Sequence, residues 1–138
     1  MNNLCVLDTS VWISALRKDF LPQARNLVAR LIDEEQVLIL PIIKLELLAG
    51  TKTRKEFSRL KMRLDALPEI EMSEGVWETA QSLAFLLRKN GLAIPLIDTI
   101  ILASAKSASA MLIHNDKHFD MAKRFVGVRI ENLRLRFF

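Results

Sequence analysis

The stretch "LCVLDTSVWISAL", residues 4–16, changes its hydrophobic pattern at a single aspartate. Leu4, Cys5, Val6 and Leu7 are apolar without alternation, as in a strand covered on both faces. After Asp8 the pattern turns helical, and Ser10 is expected to cap the helix of "SVWISAL". The same order returns in "MLIHNDKHF", residues 111–119. There an apolar strand, 111–114, is followed by Asp116 and by a helix expected from about 117 to 125. Short apolar strands alternating with helices predict an α/β domain with a mainly parallel sheet flanked by helices.

The pattern extends through the rest of the chain. Residues 21–34 read as an amphipathic helix, with Pro22 in its first turn and Ala24, Leu27, Val28, Leu31 and Ile32 on one face. "QVLIL", 36–40, is a second buried strand. Pro41 opens a further helix, and Gly50 closes it. A helix over 53–67 carries Phe57, Leu60, Leu64 and Leu67 on one stripe. "EIEM", 69–72, is expected as a short edge strand around Ile70. A long helix, 73–90, stops at Gly91, and another covers 96–109. "VGVRIE", 126–131, supplies the last strand. No linker interrupts the pattern, so residues 1–138 are expected to form one domain.

Composition narrows the function classes. A chain of 138 residues with 51% hydrophobic residues suits one well-buried core, which excludes disorder. No repeat or low-complexity segment is present. "MNNLCVLDTSVW" lacks the basic and long apolar parts of a signal peptide. No run of about 20 apolar residues is available for a membrane span. The lone cysteine, Cys5, forbids an internal disulfide and fits a cytoplasmic protein. A net charge of +4 admits an anionic partner such as nucleic acid.

Four carboxylates stand out. In "PLIDTIILASA", residues 95–105, Asp98 is the only charge. Its helical neighbours Ile94, Pro95, Ile101 and Leu102 are all apolar. Glu46 is placed in the same way, among Ile42, Ile43, Ala49 and Gly50. Asp8 and Asp116 follow strands, at the sheet edge where parallel α/β folds bind ligands. Individually, Asp8, Asp98 and Asp116 could serve helix starts, and Glu46 could form a buried salt bridge. If the four converge, they need a strong positive charge to stay ionised. A hard divalent cation, Mg²⁺ or Mn²⁺, meets that need with oxygen ligands. Such an ion polarises a phosphate and activates water for attack on a phosphodiester.

"VLDTS", "LELLAG", "LIDTIILASA" and "HNDKHF" occur in an order and at a spacing that resembles the four acidic blocks of PIN-domain ribonucleases. The chain looks most like VapC, the toxin subclass of toxin–antitoxin pairs. The resemblance runs from Asp8 almost to the C-terminus. It implies a Rossmann-like parallel sheet of strand order 3-2-1-4-5, an acidic pocket holding one or two Mg²⁺ or Mn²⁺ ions, and cleavage of RNA. Carried over by residue, it implies Asp8, Glu46, Asp98 and Asp116 as catalytic and metal-binding groups, with Thr9 and Ser10 as supporting donors. Relatives often carry Thr or Ser where this chain has His114; the ring N–H of His114, or Asn115, is expected to take that part. His118 stands where some relatives carry another acid. The resemblance further implies a VapB-like antitoxin as partner and a homodimer.

Other features carry less. Lys55, Arg59 and Arg63 repeat at four-residue intervals, with Lys52 near the same line, and read either as phosphate contacts or as a solvated face. Arg129, Arg134 and Arg136 near the C-terminus share that ambiguity. Cys5 reads as core packing; Trp12 and Trp77 read as core or interface. Two rivals remain beside the toxin: a PIN-like nuclease of RNA maturation or DNA processing, and a non-enzymatic α/β interaction module.

Overall fold

A computed structural model describes residues 3–16 and 22–133. Strand β1 (Cys5–Leu7) leads into helix α1 (Thr9–Leu16). Helix α2 (Pro22–Asp33) returns to β2 (Val37–Leu38), followed by α3 (Pro41–Ala49), α4 (Arg54–Asp65), α5 (Glu74–Lys89) and α6 (Leu96–Ser107). Strand β3 (Met111–His114), helix α7 (Lys117–Ala122), a 3-10 turn (Lys123–Phe125) and β4 (Ile130–Asn132) complete the described chain.

The strands form one parallel sheet in the order β2-β1-β3-β4. Every residue of β1 is buried, as its unbroken apolar run requires. Burial also pushes the Cys5 thiol up to about 12, which keeps it an unreactive core group. Register matters more for function. Leu7 pairs with Ile113, and the Asp8 N–H donates to the Ile113 carbonyl at 2.9 Å. The carboxyl ends of β1 and β3 therefore lie side by side, and the turns that follow them share one edge.

The sheet has four strands where five were expected. "EIEM" contributes only an isolated parallel bridge, Glu69 to Ile39, beyond β2. Two hydrogen bonds hold it: Ile39 N–H to the Pro68 carbonyl at 3.0 Å, and Ile70 N–H to the Ile39 carbonyl at 2.9 Å. The reason is local. Only Ile70 is buried, the glutamates on both sides are exposed, and Pro68 has no N–H to give. The segment still occupies the place expected for the third strand. Other boundaries move slightly. The helix expected over 117–125 tightens to a 3-10 turn after Ala122, and the helix from Leu96 ends at Ser107. Gly91 adopts φ +78°, a left-handed turn that favours glycine after α5.

Helices flank the sheet. α5 packs along α6, α1 along α2, and α3 against both α1 and α4. The helices α1, α3 and α6 thus approach the edge that Asp8 and Asp116 occupy.

Candidate active site

Asp8, at the end of β1, is 6% exposed. Its Oδ2 accepts the Ser10 N–H at 3.1 Å and the Ser10 hydroxyl at 2.6 Å. Its carbonyl accepts from Val11 and Trp12. Asp8, not Ser10, is therefore the cap of α1. The strand ends one residue before the helix begins, so the residue at the junction takes the cap position.

The Ser10 hydroxyl spends its hydrogen on Asp8 and accepts the Asn115 N–H at 3.0 Å. Asn115 Nδ2 reaches Ser14 Oγ at 3.4 Å, and Ser14 Oγ donates back to the Ser10 carbonyl. Three polar side chains thus stitch the turn after β1 to the turn after β3. Glu46, in mid-helix on α3, accepts the Thr9 hydroxyl at 2.9 Å. Thr9 and Ser10 each donate to one carboxylate.

Asp116 caps α7, accepting the His118 N–H at Oδ1, 3.0 Å. Its own N–H donates to His114 Nδ1 at 3.1 Å. Nδ1 is thereby the acceptor of the fully buried His114 ring, so Nε2 carries the proton and faces Asp120 Oδ1 at 3.1 Å. Asp120 Oδ2 in turn accepts from Asn132 Nδ2 of β4. His114 therefore holds the Asp116 backbone in the manner expected of a hydroxyl, but by accepting a hydrogen bond rather than through a ring N–H.

Asp98 is the third residue of α6 and is half-buried, with no hydrogen bond to its carboxylate from any described residue. Burial pushes it up to about 6, helped by the negative charges of Asp8, Asp116 and Glu46; His118 opposes the rise. Burial also raises Asp116, but the His118 N–H, the His118 ring and His114 outweigh it and hold that carboxyl below its usual range. The four acids come from two strand ends and two helices, yet the other three act on Asp98.

The tightest grouping is Asp98, Asp116 and His118, whose ligand atoms all lie within 4.8 Å of one another. Asp8 and Glu46 stand outside that triplet, each already engaged by a hydroxyl. Oxygen donors that repel Asp98, with no Lys or Arg among the described residues paired to the four acids, fit a divalent cation. By sequence, His118 stood out only as the position where some relatives carry another acid and was not placed in the site; Ser14, Asp120 and Asn132 did not stand out. The available signal for His118 was its position in the first turn after Asp116.

Lys55, Arg59 and Arg63 are all exposed on α4, and none pairs with the four acids. Arg129 pairs with Glu131 at 2.9 Å, whereas Arg134 and Arg136 lie outside the described residues. Trp12 is buried and Trp77 is half-exposed.

The PIN domain family model matches residues 5–124. The chain is similar to ribonuclease VapC11 of Mycobacterium tuberculosis, 24% identical over 135 residues, covering 95% of this chain and 100% of the relative. It superposes on a VapBC structure from Salmonella typhimurium, bound to DNA, with a TM-score of 0.77 at 18% identity. For VapBC2 of Rickettsia felis, bound to a promoter fragment, the values are 0.76 and 23%. Each superposition covers 94% of this chain and 98% of the other.

Proposed function

This chain belongs to the PIN domain family, and we propose that it is a metal-dependent endoribonuclease acting as the toxin of a VapBC-type pair. The observation that carries this reading is the convergence of four carboxylates from separate elements, with Asp98 exposed to the charge of the other three. Helix caps or separate ion pairs have no reason to gather in that way. The names of the similar proteins, a VapC ribonuclease and VapBC complexes, support the choice of RNA as substrate and of an antitoxin as partner.

Asp98 and Asp116 would hold the ion, Mg²⁺ or Mn²⁺, with Asp8 and Glu46 completing its surroundings directly or through water. When bound, the ion polarises the phosphate and lowers the pKa of the attacking water. The remaining chemistry belongs to the chain. Ser10 fixes Asp8 with two donors, and Thr9 fixes Glu46 with one, so both carboxylates keep one oxygen for the substrate side. Glu46 is suited to accept or steer a proton of water. His114 and Asn115 hold the Asp116 turn in register with β1. The exposed cations Lys55, Arg59 and Arg63 on α4 serve as phosphate contacts for RNA.

The whole chain, 1–138, acts as one cytoplasmic domain in this reading, and it self-associates as a homodimer. No described helix is long and apolar enough to cross a membrane. An apolar groove of about 970 Å³ between α1, α2 and α4, lined by Trp12, Val28, Ile32, Leu60 and Leu64, suits an amphipathic segment of the antitoxin.

The test is Asp98→Asn. The variant keeps its fold by circular dichroism and loses RNA cleavage in Mg²⁺ or Mn²⁺. Cleavage at the parent's rate would overturn the assignment. A titration separates the rival interaction module: converging acids bind Mn²⁺ and raise thermal stability, whereas isolated caps do not.

A further inference from the structure

We propose that His118 is itself a ligand of the metal ion, through ring Nδ1 and beside Asp98 and Asp116, so that this centre is a mixed nitrogen–oxygen site. The inference rests on the metal-dependent reading above and adds a donor that the four-acid pattern does not contain. Nδ1 lies 3.0 Å from Asp116 Oδ1 and 3.9 Å from Asp98 Oδ2. Donors held about 2.1 Å from an octahedral ion stand roughly 3.0 Å apart when adjacent and about 4.2 Å apart when opposite. The 3.0 Å separation matches adjacent donors, and the 3.9 Å separation lies between the adjacent and opposite values.

A second observation separates a co-ligand from a simple ion pair. Nδ1 is shielded from solvent and makes no aligned hydrogen bond with any described residue, although a carboxylate oxygen is 3.0 Å away. The ring is also delivered there by fixed backbone. The His118 N–H is bonded to Asp116, and the next residue, Phe119, is fully buried. His114 has no such freedom, because both its ring nitrogens are engaged inside the protein. An imidazole ligand shifts preference from Mg²⁺, which favours oxygen shells, toward Mn²⁺ and later transition metals.

The experiment uses the full chain, stripped of metal and reloaded with Mn²⁺. Pulsed electron paramagnetic resonance reads ¹⁴N coupling, and calorimetry reads affinity for Mn²⁺ and Mg²⁺. The parent shows coupling from one bound imidazole nitrogen. His118→Ala and His118→Asp lose it. His118→Ala weakens Mn²⁺ by at least about tenfold, the usual cost of disturbing even an outer-shell group; Mg²⁺ weakens less. His118→Asp keeps Mg²⁺ binding and narrows the preference for Mn²⁺, which also guards against a folding defect in the alanine variant. Mn²⁺ bound without nitrogen coupling, or coupling that survives in His118→Ala, would overturn the inference and leave an acidic centre with His118 as its counter-charge. Absence of any Mn²⁺ binding by the parent would overturn both this inference and the metal-dependent reading.

Discussion

Replacing Asp98 by Asn should make the metal-free protein more stable at neutral pH, and the gain should vanish in acid. The folded state raises this carboxyl from 3.8 to about 6, chiefly by burial and then by three neighbouring acids. Ionising a group so placed costs up to about 3 kcal/mol at pH 7, taking ~1.36 kcal/mol per tenfold change in acidity. The cleft is partly open to solvent, which screens the charges and reduces the cost to about 1–2 kcal/mol. The sign follows from linkage. A folded-state value above the unfolded one favours folding below about pH 4, and this advantage is lost as pH rises to about 6. Asn carries no such dependence. Thermal melts in EDTA from pH 4 to pH 8 should show the two proteins converging near pH 4 and separating to roughly 3–10 °C above pH 6. Saturating Mn²⁺ should reverse the order, because an ion at a hundred times its Kd stabilises the parent by about 2.7 kcal/mol and the variant by less. A variant less stable than the parent in EDTA, by an amount independent of pH, would refute the reasoning and make Asp98 a structural partner.

Ser10→Ala should cost about 1–3 kcal/mol in urea unfolding, because it strips a donor from Asp8 and leaves the Asn115 N–H without its acceptor; Ser10→Thr keeps the hydroxyl and should restore most of the loss. Gly91→Ala should cost about 1 kcal/mol in the same assay: the added Cβ meets nothing within 4 Å, so only the strain of φ +78° remains. Replacing Lys55 and Arg59 together with Ala should weaken RNA binding at every sequence and lower the salt slope by about 1.4, as expected for two phosphates on a single strand; an unchanged slope would make the stripe a solvated face. Co-expression with a VapB-like antitoxin from the same genome should yield a tight inactive complex, and the free chain should size as a dimer in solution. A monomer without a captured partner, harmless to its host, would sink the toxin reading and leave the nuclease reading in place.

Much of the fold was legible because its central strands carry their own instructions. β1 is a continuous apolar run and β3 is apolar up to His114; an acid and a helical pattern follow each, and both lie side by side in the sheet. Helix limits were set by local chemistry: Thr53 accepts the Glu56 N–H, and Gly91 supplies the left-handed turn. The edge was harder to read. Glu69, Ile70, Glu71 and Met72 have the alternation of a strand, but one buried isoleucine after a proline supports a bridge and nothing longer. Edge strands depend on how much neighbouring backbone remains unpaired, which their own residues do not encode.

The candidate site divides in the same way. Asp8, Glu46, Asp98 and Asp116 stood out because a carboxylate flanked by apolar residues, or placed directly after a buried strand, has few inexpensive explanations. Among their supporting groups, Ser10 lies two residues from the Asp8 it serves, whereas Thr9 serves Glu46, 37 residues away, a pairing that its neighbours in sequence do not encode. The role of His114 depends on Asp120 and on Asn132 of another strand, and those partners decide which ring nitrogen keeps its proton. The family resemblance implied the ring N–H of His114, or Asn115, in place of a hydroxyl, whereas the tertiary network makes the ring the acceptor for the Asp116 N–H. The same network withdraws His114 from the cleft and leaves His118 as the one described imidazole facing the acids. Two histidines four residues apart, alike by sequence, thus receive opposite chemistry: one is locked inside to aim a carboxylate, and the other is presented beside it.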